Sequence, residues 1–313
     1  MDKVSPALLH QRIIDWFGVQ ARDLPWRGPA RTPWSVLVSE FMLQQTPVVR
    51  VLPVFSEWLS RWPTPADLAA APSGDALRQW GRLGYPRRAL RLHAAAGAVV
   101  EHHDGEIPDT VGELLTLPGV GTYTAAAVAA FAFGKRETVV DTNIRRVHAR
   151  LLGGDALPAP ALTAAEMRRA ADLLPDDDAQ SVLWNAAVME LGALVCTARA
   201  PKCSQCPVLE SCAWVAAGRP EPHYVPRGQA WAGTDRQVRG AMMGVLRNAA
   251  APVVRELMVS GPVELLSGPA ATLTPLMKLH GLNAPREQLE RSLEGLLRDG
   301  LARDTPAGIT LPG

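Results

Sequence analysis

Apolar residues recur every three or four positions along most of the chain, and period-two alternation is scarce, so the pattern predicts helices throughout. Thr32 followed by Pro33 reads as an N-cap with proline at the first helical position, opening a helix that runs to about Gln45. Thr46-Pro47 repeats the signal and starts another. "TPADLAAA" and "SGDALRQWGRLG" are shorter helices, the second expected to stop at Gly84, and "RALRLHAAAGAVVEHH" is a further one. "PDTVGELLTL" and "TYTAAAVAAFAFG" predict a helical hairpin about a glycine-containing turn. "TNIRRVHARLLGG" ends on the usual glycine stop, and "AAEMRRAADLLP" and "QSVLWNAAVMELGALVC" complete a helical body. From about 217 to 234 the chain turns rich in Pro and Gly, which reads as a linker over 219–234. Beyond it, "DRQVRGAMMGVLRNA", "APREQLERSLEGLLRDG" and the hairpin-like "LARDTPAGITLPG" predict a small winged-helix-like domain over 235–313.

Length changes this picture little: 313 residues suggest two or three domains. No run of apolar residues is long enough to span a bilayer, and "MDKVSPALLHQRIIDWF" is broken too early for a signal peptide. The expectation is a cytoplasmic protein without membrane contact. A net charge of only +1 argues against a uniformly basic nucleic-acid binder. The charge is uneven, however. Arg78, Arg82, Arg87, Arg88 and Arg91 form one stretch without an acid, and Arg145, Arg146 and Arg150 form another, so local patches can still hold a polyanion.

Candidate chemistry sits in four places. Glu40 is enclosed by Val36, Leu37 and Leu43 on its helix, where burial would disfavour its charged form and suit it to act as a general acid. The alternatives are escape to solvent or pairing with a buried arginine. Asp141 in "VVDTNIRRVHARLL" looks like an N-cap. In "LPGVGTYT", Gly119 and Gly121 bracket Val120 ahead of a helix whose free N–H groups could receive a phosphate, although glycine there also serves a plain turn. Cys196, Cys203, Cys206 and Cys212 are the only cysteines, spaced C-x6-C-x2-C-x5-C. Their crowding fits an iron–sulfur cluster or tetrahedral zinc, and a cysteine-poor remainder fits a reducing compartment rather than disulfides.

Two stretches carry a family resemblance. "LPWRGPARTPWSVLVSEFMLQQTPV" resembles the A/G-specific adenine DNA glycosylases (the MutY family), and "LPGVGTYTAAAV" resembles the hairpin of the helix-hairpin-helix glycosylases. The cysteine spacing is similar to the [4Fe-4S] loop of the endonuclease III superfamily. The resemblance covers roughly residues 8–218. It implies an all-α catalytic region over 1–218, with a helical barrel at 24–137 and an iron–sulfur domain built from 1–23 and 138–218. It further implies a monomeric, nucleoid-associated enzyme acting on double-stranded DNA with adenine opposite 8-oxoguanine or guanine.

Residue by residue, the resemblance makes Glu40 the acid that protonates adenine and Asp141 the carboxylate that stabilises the sugar cation, oriented by Asn143. This mirrors the two-carboxylate logic of glycoside hydrolysis. Tyr123 stands where endonuclease III relatives carry the Schiff-base lysine, implying a monofunctional glycosylase. Gln44 and Gln45 would enter the duplex beside the flipped base, and Tyr85 would wedge near the orphan base. Arg27, the Gly119–Val120–Gly121 turn, Arg199 and Lys202 would face DNA. Departures from the family pattern are Thr142 in place of glycine, Pro86 in place of a second aromatic, Pro47 in place of a polar residue, and a short tail in place of the larger β-rich domain that reads 8-oxoguanine. Two rivals remain: a mismatch thymine or uracil glycosylase of the same superfamily, and a non-catalytic iron–sulfur DNA-binding module.

Overall fold

The computed structural model describes residues 5–225, 228, 230–260 and 270–313. Its helices are, in order, α1 (Pro6–Gln20), α2 (Pro33–Leu43), α3 (Val48–Arg61), α4 (Pro65–Ala70), α5 (Ser73–Trp80), α6 (Arg87–His102), α7 (Val111–Leu114) and α8 (Thr122–Phe133). There follow α9 (Thr142–His148), continued by a π-helical turn Ala149–Gly153, then α10 (Ala164–Asp172), α11 (Asp178–Leu194) and α12 (Ala213–Ala216). The C-terminal part holds α13 (Asp235–Asn248), α14 (Arg255–Val259), α15 (Ala270–His280), α16 (Arg286–Arg298) and an antiparallel hairpin of β1 (Arg303–Thr305) and β2 (Gly308–Thr310). Among the described residues no helix is long and apolar enough to cross a membrane.

Local chemistry explains the helix starts. Thr32 and Ser35 cap α2 reciprocally, each hydroxyl accepting the other's backbone N–H, at 3.1 and 2.9 Å. Thr64 with Asp67, and Thr163 with Glu166, form capping boxes on α4 and α10. Three expected boundaries shift. Helix α2 ends at Leu43, because Gln45 adopts a left-handed φ of 53°. Helix α3 starts without a threonine cap, since the Thr46 hydroxyl instead lies 3.4 Å from the Leu83 carbonyl. Helix α5 stops at Trp80 rather than Gly84, at Gly81 with a φ of 55°.

The chain divides into two compact units. The first comprises Met1–Leu37, Asp109–Thr116 and Val120–Arg227. Its core packs Leu9 and Ile13 of α1 against Trp184, Ala187, Val188 and Leu191 of α11, with Ala127 and Ala130 of α8 and Ile144 and Val147 of α9. The second comprises Val38–Pro108, Leu117–Gly119 and Gly228–Gly313. There Trp58 meets Trp62 and Trp80 edge-on, with ring centres 4.7 and 5.7 Å apart, a favoured geometry for aromatic pairs. The C-terminal segment has the winged-helix-like order of helices followed by a two-stranded hairpin, and Val253 bridges to Ile309 as a short third edge.

Candidate active site

In the first unit, Asp141 caps α9. Its Oδ1 accepts the Ile144 N–H at 2.7 Å, so the N-cap expectation is met. Its Oδ2 accepts from Asn143 Nδ2, also at 2.7 Å. Both donors are neutral. Burial pushes the Asp141 carboxyl above the usual aspartate range, and the hydrogen bonds from Ile144 and Asn143 recover only part of that shift.

Asn143 is itself fixed. Its Oδ1 accepts from Arg146 Nη2 at 2.8 Å, and the same nitrogen donates to the Gly192 carbonyl at 2.7 Å. Gly192 allows the close approach: a Cβ there would stand 2.7 Å from Asn143 Cβ and 2.9 Å from its backbone oxygen. Arg146 Nε reaches on to the Cys196 carbonyl at 2.7 Å. One guanidinium therefore ties the Asp141–Asn143 pair to the first cysteine of the loop.

The loop is prepared by a second arginine. Arg150 is buried and stacks over Trp214 at 4.6 Å. Its nitrogens donate to the carbonyls of Ala156, Thr197 and Ala198 at 2.9, 2.7 and 3.2 Å, and Nη1 lies 3.4 Å from Cys196 Sγ. All four thiols are free and half-buried. Burial first, and then the neighbouring Cys196, Cys212 and Cys203, push the Cys206 thiol up to about 11. Burial and the neighbouring Cys196 and Cys203 also push Cys212 up, so thiolates gathered here would be stabilised by a cationic partner. A single zinc would hold sulfurs about 2.3 Å from itself and so within about 4 Å of each other. Among the described residues no three such ligands are gathered around one ion position. Exposed Arg199 and Lys202 lie within this loop, between Cys196 and Cys203.

Tyr123 lies in the first turn of α8 and packs, half-buried, against the same core as Cys196, Cys206 and Cys212. Helices α7 and α8 pack as the expected hairpin. Val120 is buried, and Gly121 supplies the exposed N-cap of α8. Arg27, expected to face DNA, is half-buried and donates to Glu190 at 3.0 Å.

In the second unit, Glu40 is 6% exposed on α2, so its side chain does not escape to solvent. Gly119, with a φ of 81°, is tight: a Cβ would meet Arg91 Cβ at 2.7 Å and the Phe41 ring at 3.1 Å. The end of α2, with the Gln44 carbonyl, is linked to Tyr85 by Arg88 of the basic stretch. Arg88 is buried, donates to the carbonyls of Phe41, Met42, Gln44 and Gly84 and to the Thr46 hydroxyl, and lies 5.3 Å over the Tyr85 ring. Burial holds its pKa down at about 10. The signal was present, because Arg88 heads the stripe Leu92, Ala95, Ala96 and Val99 on the buried face of α6. Tyr85 is 50% exposed with a φ of 47°, an exposed aromatic on a backbone that non-glycine residues avoid.

Comparison with known proteins matches residues 38–172 to the HhH-GPD superfamily of base excision DNA repair proteins, and residues 196–212 to the iron–sulfur binding domain of endonuclease III. An adenine DNA glycosylase of Mycolicibacterium smegmatis is 47% identical over 95% of this chain and 93% of its own length. The chain belongs to the adenine DNA glycosylase family. Its cofactor is the [4Fe-4S] cluster of that iron–sulfur domain, whose matched residues 196–212 contain all four cysteines of the chain. The Mycobacterium tuberculosis enzyme matches equally well, 47% identical over 96% of the chain, so both of these relatives align over most of the C-terminal segment. The human enzyme is 42% identical but over only 64% of the chain. Among solved structures, a thermostable thymine-DNA glycosylase superposes with a TM-score of 0.61 at 28% identity, covering 68% of this chain and 97% of that one. An endonuclease III–DNA complex superposes at 0.58 and, at 22% identity, shares the fold.

Proposed function

We propose that this enzyme removes adenine mispaired with 8-oxoguanine or guanine in double-stranded DNA, by hydrolysis of the N-glycosidic bond. The observation that carries the reading is Asp141: a desolvated carboxylate held by neutral donors, in a chain 47% identical to named adenine DNA glycosylases along nearly all its length. The adenine leaves the base stack. Glu40 delivers a proton to it, at N7, so that the base departs with the bond's electron pair. Ionised Asp141 stabilises the oxocarbenium-like sugar, and water adds at the anomeric carbon. Asn143, locked by Arg146, keeps Asp141 aimed. Tyr123 has no amine to attack the sugar, so an abasic site is left and the strand stays intact.

Gln44, Gln45 and Tyr85 enter the duplex, and Tyr85 stacks beside the orphan base. The amides at Gly119–Gly121, with Arg199 and Lys202, meet phosphates. The cluster, when bound, neutralises the mutually repelling thiolates and cross-links the loop that presents those cations. The enzyme acts as a monomer on nucleoid DNA.

The test is single-turnover adenine release from duplexes with adenine opposite 8-oxoguanine, G, C and T, using wild type and Glu40→Gln. Fast release opposite 8-oxoguanine and G that the substitution abolishes supports substrate and acid together. A second reading has one observation in its favour: a thymine-DNA glycosylase of Aeropyrum pernix is 34% identical over 68% of the chain. Release of thymine from T·G, with none of adenine, would select it.

A further inference from the structure

The C-terminal segment belongs to the same unit as Val38–Pro108, and there it grips both ends of one short helix. At the start of α5, a Cβ on Gly74 would stand 2.3 Å from the Pro312 carbonyl oxygen and 3.1 Å from Leu311 Cβ, so only glycine admits the chain's last residues. Ser73 Oγ donates to the Gly313 oxygen at 3.2 Å. At the other end, Arg247 of α13 donates to the Gly81 carbonyl. Just beyond the turn that follows, Arg87 opens α6 and donates to Asp299 at 3.4 Å, and Arg239 holds Asp299 from the other side.

Between these anchors lies the turn that carries Tyr85. Gly81, Gly84 and Tyr85 have φ values of 55°, 87° and 47°. A left-handed non-glycine residue is strained and persists only where its surroundings over-determine it. Here they do, because each carbonyl from Gly81 to Tyr85 has a donor. Gly81 receives Arg247 and Arg82 receives Arg50. Leu83 receives Thr46 Oγ1 at 3.4 Å, and Gly84 receives Trp80 Nε1 at 3.0 Å and Arg88 Nη2 at 3.2 Å. Tyr85 receives the Arg88 backbone N–H at 2.9 Å. Of these donors, Arg247 alone comes from the C-terminal segment.

We infer that Arg247 and Asp299 are positioning residues for Tyr85, through which the C-terminal segment sets discrimination of the base opposite adenine. The inference rests on the proposed role of Tyr85 as the wedge beside that base. The segment need not touch the orphan base. It fixes the turn from which Tyr85 reaches it, by a hydrogen bond at the Gly81 end and an ion pair at the Arg87 end.

The test uses the full chain as Arg247→Met, Arg247→Lys, Asp299→Asn, Gly74→Ala and Tyr85→Leu. Two quantities are read: the ratio of single-turnover adenine release opposite 8-oxoguanine to that opposite C, and the fluorescence of 2-aminopurine placed beside the opposite base, which reports wedge insertion. Arg247→Met, Asp299→Asn and Gly74→Ala are expected to lower the ratio by about tenfold, the scale of one charged hydrogen bond, and to shift the fluorescence toward that of Tyr85→Leu. Arg247→Lys, which keeps a cationic N–H donor at this position, should restore both. If these variants keep the wild-type ratio and fluorescence while Tyr85→Leu loses them, the inference is overturned and the wedge stands. If Tyr85→Leu itself keeps the ratio, the wedge reading falls and takes the inference with it. Should Arg247→Met fail to fold, Gly74→Ala at the far end of α5 decides the matter.

Discussion

Glu190 in α11 has a side chain 0% exposed, and two guanidiniums close on it: Arg22 through Nε and Nη2 at 2.6 and 2.8 Å, and Arg27 at 3.0 Å. Asp141, at the head of α9 in the same unit, is hydrogen-bonded by the neutral Ile144 N–H and Asn143 amide, and the charge of Arg146 is the smallest of the influences on it. Burial would raise both carboxyls. At Glu190 the hydrogen bonds from Arg22 and the charge of Arg27 outweigh it and hold the group below the usual glutamate range. At Asp141 burial prevails and the group lies above its usual range. An acid neutralised by arginines is bound into the fold and has no charge to spare. An acid held by neutral donors keeps a charge for a cation that forms beside it. The two sites differ in what a substitution should damage, stability at one and chemistry at the other.

The largest effect expected on stability is at Glu190. Glu190→Gln leaves two buried or half-buried guanidiniums short of a partner, at about 3–5 kcal/mol, which in a chain of this size lowers Tm by about 10 °C in a calorimetric scan. Loss below about 1 kcal/mol would make the pair no different from a surface bridge. Next comes Gly192→Ala, which drives a methyl into Asn143 and moves the support of Asp141. Adenine release should slow by up to about a hundredfold, as misplacement of a reacting group by an ångström does. Unchanged rates would mean that Asn143 does not aim the carboxylate.

The pH dependences have opposite signs. Glu190 has a depressed folded pKa, so its contribution is present above the unfolded glutamate pKa and is lost as pH falls through the folded one. Asp141 has a raised folded pKa, so folding disfavours its ionisation, and its contribution is lost as pH rises through the folded value. In the proposed mechanism the ionised form meets the sugar cation, so the acid limb of the single-turnover pH–rate profile should lie above the ordinary aspartate range. The smallest effect follows from the same sign. Asp141→Asn should leave stability unchanged or raise it at neutral pH by up to about 1 kcal/mol, as substitutions that relieve a functional site do. A clear destabilisation would place Asp141 with Glu190.

The contrast between these acids was half legible in the sequence. Asp141 stands immediately before an amphipathic helix, a local signal, and its capping role followed from it. The cysteine spacing is likewise local, as are the glycines of the hairpin turn. Glu190 and Glu40 pose the same puzzle on the page, one acid within an apolar helix, but the partners of Glu190 lie 168 and 163 residues away, and helical periodicity says nothing about them. Tertiary bonds also moved helix ends. Arg88 takes the last carbonyls of α2, which stops two residues short of the expected Gln45, and Gly81 rather than Gly84 closes α5 where Arg247 reaches its carbonyl. Helices α14 and α15 leave no clear sequence pattern, because one is a single turn or so and the other contains Pro275.

The most direct test of the division between these two carboxylates is single-turnover release of adenine from a duplex carrying adenine opposite 8-oxoguanine. It would be run with wild type, Asp141→Asn and Glu190→Gln, at a temperature where all three are folded by circular dichroism. Asp141→Asn should be slowed by at least about 10²–10³-fold, the loss expected when a preorganised charge is removed from a transition state, with Glu190→Gln near the wild-type rate. Near wild-type release by Asp141→Asn, or equal losses in the two variants, would contradict the assignment of the chemistry to Asp141.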